Sequence, residues 1–341
     1  MTHLLTARFP GVGSAYCSAD GRISTSFHGF ADRESPIPVD GSTIFPACSI
    51  SKFVTALCVM QLHEQHVIDV NAPVNDHLRT WKLRTPQGEE SSASVRALMS
   101  HTAGIIDGED SFFGLRRGGP EVSLADILEG RTAYNNRPVR AEKPTGAAFE
   151  YSDAGYCVLQ LLVREVTGMP FADAARKLIF APLGLHSTFF AAPEYVAAHE
   201  ARMATGYDGD GAPLPGRFPS YPDLAASGLW TTPEELVMLG RAFVAALHGE
   251  GSLLQQSSAR EMAAPVQDFP WTGLGLFTSG GDILMSQGWG EHGQCMLKMN
   301  RRTQAVAAVM TNRNPEVDQA ESGIEKLVDS LLAAVEYPHD I

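Results

Sequence analysis

No run approaching ~18 apolar residues interrupts the 341-residue sequence, so nothing in it reads as a membrane-spanning helix. Lysine and arginine form no runs either. With 26 basic against 39 acidic residues the formal net charge is -13, which excludes the cationic surface that nucleic acid or an anionic membrane requires. Cysteine is scarce. The five residues (Cys17, Cys48, Cys58, Cys157 and Cys295) are odd in number and scattered, and no two stand at metal-ligand spacing. Neither a disulfide framework nor a zinc site is expected, and most of the five read as small buried hydrophobes. Residues 1–10 contain no long apolar stretch and no cleavage site, so a secretory leader is not read there and a cytoplasmic location is expected. A G-x-S-x-G elbow is missing, which argues against an ordinary α/β-hydrolase. Internal repeats and low-complexity tracts are absent.

What is present is ordinary globular composition, 44% hydrophobic and 19% charged, enough to bury a large core. Residues 12–18 and 22–28 flank Ala19-Asp20-Gly21 and predict a hairpin. Strands are expected again at 273–277, 282–286, 295–299 and 304–310, and a closing helix at 317–335 carries Ile324, Leu327, Val328, Leu331, Leu332 and Val335 at helical spacing. Between the two ends, helices are expected at 49–66, 123–129, 154–167, 170–179 and 232–247. The last opens on Thr232-Pro233-Glu234-Glu235, an N-cap, a first-turn proline and a capping-box glutamate. Segments 107–119 and 205–223 are rich in Gly, Pro and Asp and read as long loops, which often rim a site. The expected fold class is α/β of the α+β type. An antiparallel sheet flanked by helices is built from 1–60 and 225–341, a mainly helical lobe from 61–224, and the site lies in the cleft between them.

Segment 45–62 holds a single charged residue, Lys52, among apolar residues on every helical face. A buried ammonium without a partner costs several kcal/mol or loses its proton. Ser49 lies three residues earlier and shares a helical face with it. Pro46 places Ser49 at the helix start, where N–H groups are free and the dipole favours negative charge. A serine hydroxyl beside a lysine whose pKa burial pushes down is an activated nucleophile. The plainer alternative makes Ser49 an N-cap and lets Lys52 snorkel to water. A second segment, Phe149-Glu150-Tyr151-Ser152-Asp153-Ala154-Gly155-Tyr156, taken by itself only shows that Ser152 or Asp153 can cap the helix that follows.

Together these segments resemble the serine beta-lactamase-like family of class C beta-lactamases, penicillin-binding DD-peptidases, carboxylesterases, and D-amino-acid amidases and aminopeptidases. Ser49-Ile50-Ser51-Lys52 is similar to its SxxK motif and Tyr151-Ser152-Asp153 to its YxN motif. Leu98–Gly104, Ile179–Leu185 and Ala226–Thr232 resemble further family segments, in order, over about residues 11–312. The resemblance implies a beta-lactamase/transpeptidase-like fold. It also implies an acyl-enzyme on Ser49, proton work shared by Lys52 and Tyr151, and an oxyanion hole from the N–H groups of Ser49 and Gln294. No metal or cofactor is implied. The sequence leaves open which of Lys52 and Tyr151 is the base. The family usually begins with a helix packed on the sheet; the segment before Phe9 is short for one, so a truncated helix or a covering partner is expected there.

The family's third motif, a basic residue, a small residue and glycine, falls on Gly290-Glu291-His292-Gly293-Gln294. Glu291 then stands where lysine or histidine is usual, or His292 does with the glycine displaced. Glu291, His292, Gly293 and Asp153 are therefore the expected substrate-binding residues. A carboxylate at 291 would repel a substrate carboxylate by about 4 kcal/mol at ~4 Å. The expected partner is a small ester, an amide or a short peptide without a carboxylate near the scissile bond. A beta-lactamase or DD-peptidase is the nearer alternative, and a non-catalytic ligand sensor on the same fold the more distant one. Asp153 near Lys52 would favour the ammonium and shift weight to Tyr151. Cys48 lacks an identifiable base, His63 and His66 lack zinc-protease spacing, Asp208-Gly209-Asp210-Gly211 reads as a turn, and His101 as a brace for a loop.

Overall fold

In the computed structural model, which describes residues 8–115, 117 and 122–336, the Ala19-Asp20-Gly21 triplet reverses the chain between β1 (Gly11–Cys17) and β2 (Ile23–Asp32). Residues 1–7, where a truncated helix was expected, lie outside the described residues, as do parts of the 107–119 loop. The hairpin is antiparallel, with Val12 opposite His28 and Cys17 opposite Ile23. Two short strands follow, β3 (Ile37–Pro38) and β4 (Phe45–Cys48).

Helix α1 (Ser51–Glu64) buries Ser51 through Met60 and Leu62, as its lack of a polar face requires. Its Phe53 meets Phe243 edge-to-face with centroids 5.2 Å apart; truncating a ring so buried costs about 3–5 kcal/mol. The short α2 (Val95–Met99) precedes α3 (Asp153–Thr167). The helix expected at 170–179 is α-helical only over Phe171–Ala175 and widens into a π-turn at Arg176–Phe180, with Ala181 N–H reaching Arg176 O at 2.8 Å. That wider turn puts both Ile179 and Phe180 into the core.

Next come β5 (Phe189–Phe190), β6 (Leu229–Thr231) and α4 (Pro233–Leu247), which Thr232 caps by accepting the Glu235 N–H at 3.2 Å. The chain closes with β7 (Phe277–Thr278), β8 (Ile283–Gly290), β9 (Gly293–Asn300), β10 (Val306–Thr311) and α5 (Ile324–Glu336). Residues 273–276 are not strand, because their N–H groups are drawn elsewhere: Leu274 to Met262 O at 2.9 Å and Gly275 to Met99 O at 3.0 Å. The closing helix is broken at Gly323, whose φ of 93° only glycine adopts freely, so Gln319–Ser322 forms a separate turn.

Seven strands form one antiparallel sheet in the order β3-β2-β1-β10-β9-β8-β7. β1 and β10 meet in its middle, with Val12 opposite Thr311, so the two ends of the chain complete each other. Alternation along β10 divides the cores. Val306, Ala308 and Met310 join the large core with α1 and α4, whereas Ala307 and Val309 join a smaller one with Ile324, Leu327 and Val328 of α5. Lys298 on β9 ties α5 down through Glu325 at 3.0 Å and Asp329 at 2.7 Å. A second sheet, β4-β6-β5, has no counterpart in the sequence expectations, since strands of two to four residues carry no period. Among the described residues no helix is long and apolar enough to cross a membrane.

Candidate active site

β4 delivers the chain into a strained turn. Cys48 has φ 46°, in the left-handed region that side chains avoid, and the β4–β6 register shifts between Pro46 and Cys48. The Ser51 hydroxyl holds this turn, donating to Cys48 O at 2.5 Å and accepting the Leu229 N–H at 2.9 Å. Ile50 N–H reaches Ala47 O at 3.0 Å. The helix therefore begins at Ser51, and Ser49 stands just ahead of it, not as its cap. Ser49 is half-exposed while Cys48 and Ile50 are buried.

One turn on, Lys52 is 3% exposed. Its Nζ lies 3.1 Å from Ser49 Oγ, 3.0 Å from Ala226 O and 2.5 Å from Asp153 Oδ1. Three acceptors match the three protons of an ammonium. Here the expectation of a lowered lysine pKa is corrected. Burial does push the Lys52 ammonium down, but the facing Asp153 carboxylate and Tyr151 outweigh it, so Lys52 stays charged well above its ordinary range. A charged Lys52 donates to Ser49 and cannot take its proton.

Asp153 reaches Lys52 because Ser152 does the capping. Ser152 Oγ accepts the Gly155 N–H at 2.9 Å and leaves Asp153 in the first turn of α3, aimed at the lysine. Tyr151 is 43% exposed, and its hydroxyl interacts with both Lys52 and Ser49. Burial of that hydroxyl raises its pKa, the Lys52 charge lowers it and Asp153 raises it, with a net increase. The Tyr151 ring stacks on His101 with centroids 4.4 Å apart. His101 Nδ1 accepts the Ser152 N–H at 3.1 Å, and its O accepts the Glu150 N–H at 2.8 Å. Burial and the Lys52 charge hold the imidazole neutral, well below its ordinary pKa. His101 thus braces the segment that carries Tyr151.

Two further carboxyl groups close around this network, and neither was singled out from sequence. Asp107 accepts Ser152 Oγ–H and Asp153 N–H, both at 2.6 Å. Burial, then the Asp153 charge, push it up to about 6. Asp223, fully buried, accepts the Tyr134 hydroxyl at 2.6 Å. Burial and Asp153 push it up to about 8. Both come from the loops expected to rim a site, but nothing in their spacing distinguishes them from turn aspartates.

The third motif is where the expectations fail. Glu291 and His292 form the two-residue tip between β8 and β9, with Gly290 opposite Gly293. His292 is 1% exposed and packs between the rings of Tyr221 (5.5 Å) and Trp230 (5.3 Å), so it presents no cation to the cleft. Glu291 Oε1 accepts the Gly114 N–H at 2.7 Å, and its N–H donates to the Tyr221 hydroxyl at 3.3 Å. Gly293 is needed for packing, since a Cβ there would come within 2.5 Å of Thr311 O. The expected oxyanion role of Gln294 is excluded. Its N–H donates to Thr311 Oγ1 at 3.0 Å, on the β10 side, and the residue is fully buried. β8 passes the nucleophile turn beside β9, whose Cys295 Sγ lies 2.9 Å from Ala47 O. A Cβ on Gly288 would overlap Ala47 O, and one on Gly290 would press on Cys48 Sγ at 2.9 Å. That stretch reads Gln287-Gly288-Trp289-Gly290 and carries no cation.

Known proteins share this arrangement of elements. The chain is 29% identical over 194 residues to esterase EstB of Burkholderia gladioli, covering 56% of this chain and 48% of that one. It is 25% identical over 278 residues to the putative penicillin-binding protein PbpX of Bacillus subtilis (strain 168), covering 79% and 62%. The chain thus spans roughly half to three fifths of these curated relatives. The crystal structure of D-amino acid amidase from Ochrobactrum anthropi SV3 complexed with L-phenylalanine superposes with a TM-score of 0.80 over 99% of this chain and 97% of that one, at 22% identity, a likeness of fold. The beta-lactamase family model matches residues 1–330, and with that span the chain belongs to the beta-lactamase family.

Proposed function

We propose that the chain is a serine acyl hydrolase that works through an acyl-enzyme on Ser49. The observation that carries this is the half-exposed Ser49 hydroxyl, 3.1 Å from a buried Lys52 ammonium and in contact with Tyr151. Ser49 attacks an acyl carbonyl, its proton passes into the Lys52–Tyr151–Asp153 network, and that network protonates the leaving group. Water then releases the acyl group. Because Asp153 keeps Lys52 charged, and burial, aided by Asp153, keeps Tyr151 neutral, the network must first lose a proton, so turnover rises toward alkaline pH. One oxyanion donor is the Ser49 N–H. The second falls to β8. Gln294 turns its N–H toward β10, so its opposite number Trp289 turns its own N–H to the outer edge of β8, beside the nucleophile turn. Each such donor contributes about 3–4 kcal/mol in the transition state.

The substrate we assign is an ester, an amide or a short peptide without a carboxylate near the scissile bond, of the carboxylesterase or D-amino-acid amidase type. Support comes from a cation-free β8, from the acidic Asp153 and Glu291, and from the esterase and amidase among similar proteins. The chemistry calls for no metal or cofactor. Five cysteines without a disulfide fit a cytoplasmic setting.

A fluorophosphonate label tests the assignment. It is expected to modify Ser49, and a p-nitrophenyl ester to give a burst that Ser49→Ala abolishes. The Lys52–Asp153 pair is the one observation favouring a non-catalytic binder; an unlabelled, burst-free protein at pH 7 and pH 9 would select that reading.

A further inference from the structure

Beside Tyr151 lies a group of aromatic rings that the chemistry above does not use. Phe149 and Tyr151 both pack on His101, with centroids 5.6 Å and 4.4 Å away. From there Phe149 meets Phe269 at 6.4 Å, Trp271 at 6.2 Å and Phe277 at 6.3 Å, and Phe269 meets Trp271 at 5.7 Å. Trp271 is 48% exposed, and Phe149, Phe269 and Phe277 are half-buried. A single exposed ring needs no explanation, but an exposed Trp271 resting on half-buried rings beside Tyr151 does.

The loop that carries Phe269 and Trp271 is also fixed in place. Val266 N–H bonds Thr272 O at 2.9 Å, Thr278 N–H bonds Trp271 O at 2.9 Å, and Thr278 Oγ1 donates to Pro270 O at 2.9 Å. Farther along the same loop, Gly275 packs against the Lys52 carbonyl and Ala56, so the loop is seated on the nucleophile helix itself. Phe277 lies on β7, next to β8, which passes Cys48. The rings therefore lie between the segment carrying Tyr151 and the β7 edge of the sheet.

We infer that Phe149, Phe269, Trp271 and Phe277 form a subsite for a large apolar group, preferably an aromatic one, attached close to the scissile carbonyl. This rests on the serine hydrolase assignment. Rings meeting edge-to-face accept another ring at favourable geometry, and each methylene buried in such a site discriminates about tenfold or more.

The test is kcat/KM for p-nitrophenyl acetate, butyrate and phenylacetate with wild type, Trp271→Ala, Phe149→Leu and, as a distant control, Phe30→Ala. The wild type is expected to favour phenylacetate over acetate by at least tenfold. Trp271→Ala and Phe149→Leu should each reduce that ratio at least fivefold, with a smaller effect on butyrate, and Phe30→Ala should leave it unchanged. A ratio that both site variants preserve, in a protein that still labels at Ser49, overturns the subsite alone. Loss of Ser49 labelling in the wild type overturns the hydrolase assignment instead.

Discussion

The Lys52 ammonium is closer to the Asp153 carboxylate, at 2.5 Å, than to the Ser49 hydroxyl, at 3.1 Å. The geometry expresses the sequence departure at that position, an aspartate where the family motif has asparagine. It holds Lys52 in the protonation state least useful for taking a proton from Ser49.

Asp153→Asn should therefore speed the enzyme at neutral pH. Removing the carboxylate leaves burial as the dominant influence on Lys52 and lowers its pKa. Each unit lowered multiplies the neutral amine about tenfold. We expect kcat/KM at pH 7 to rise at least severalfold and the ascending limb of the pH–rate profile to move acidward by a unit or more. A slower variant with an unmoved limb would show that Asp153 serves catalysis directly.

Asp223 makes stability depend on pH. Its carboxyl is raised to about 8 in the folded protein, against about 3.9 unfolded. Between those values the folded chain binds the extra proton, so stability is fully present below about pH 4 and drains away as pH rises to about 8. Asp107, raised to about 6, adds to the loss over the lower part of that window. Urea midpoints at pH 5 and pH 8 should thus show a wild type weaker at pH 8, and Asp223→Asn should lose less over the same interval. Equal losses in both proteins would place the dependence elsewhere.

Gly288→Ala tests whether β8 positions the nucleophile. The added methyl would overlap the Ala47 carbonyl and the Cys295 sulfur, and the carbonyl belongs to backbone that cannot step aside. We expect a lower Tm together with a fall in kcat of tenfold or more. Full activity in a stably folded variant would mean that β8 does not set the position of Ser49.

Charge should govern substrate choice. β8 carries no cation, Glu291 stands at its tip, and the Lys52 ammonium is already paired with Asp153, so a carboxylate beside the scissile bond gains little from β8. A substrate carboxylate about 4 Å from Glu291 would be repelled by about 4 kcal/mol. Neutral esters and amino-acid amides are expected to turn over at least a hundredfold faster than benzylpenicillin or a cephalosporin; the reverse order in the same panel would refute this.

Sequence alone determined those features that follow from local spacing. The solitary lysine of an all-apolar helix, with a serine three residues before it, fixed the Ser49–Lys52 pair. Ala19-Asp20-Gly21 and Thr232-Pro233-Glu234-Glu235 fixed a hairpin and a helix start, because turn and cap chemistry is a matter of neighbours in the chain. Tertiary structure decided everything that depends on which distant groups share a buried volume. Lys52 is charged because Asp153, a hundred residues on, lies against it, and burial by itself would have argued the opposite. Asp107 and Asp223 became part of the site because their loops fold inward. The third motif escaped prediction because register across β8 and β9, not the identity of a glycine, turns the Gln294 N–H toward β10.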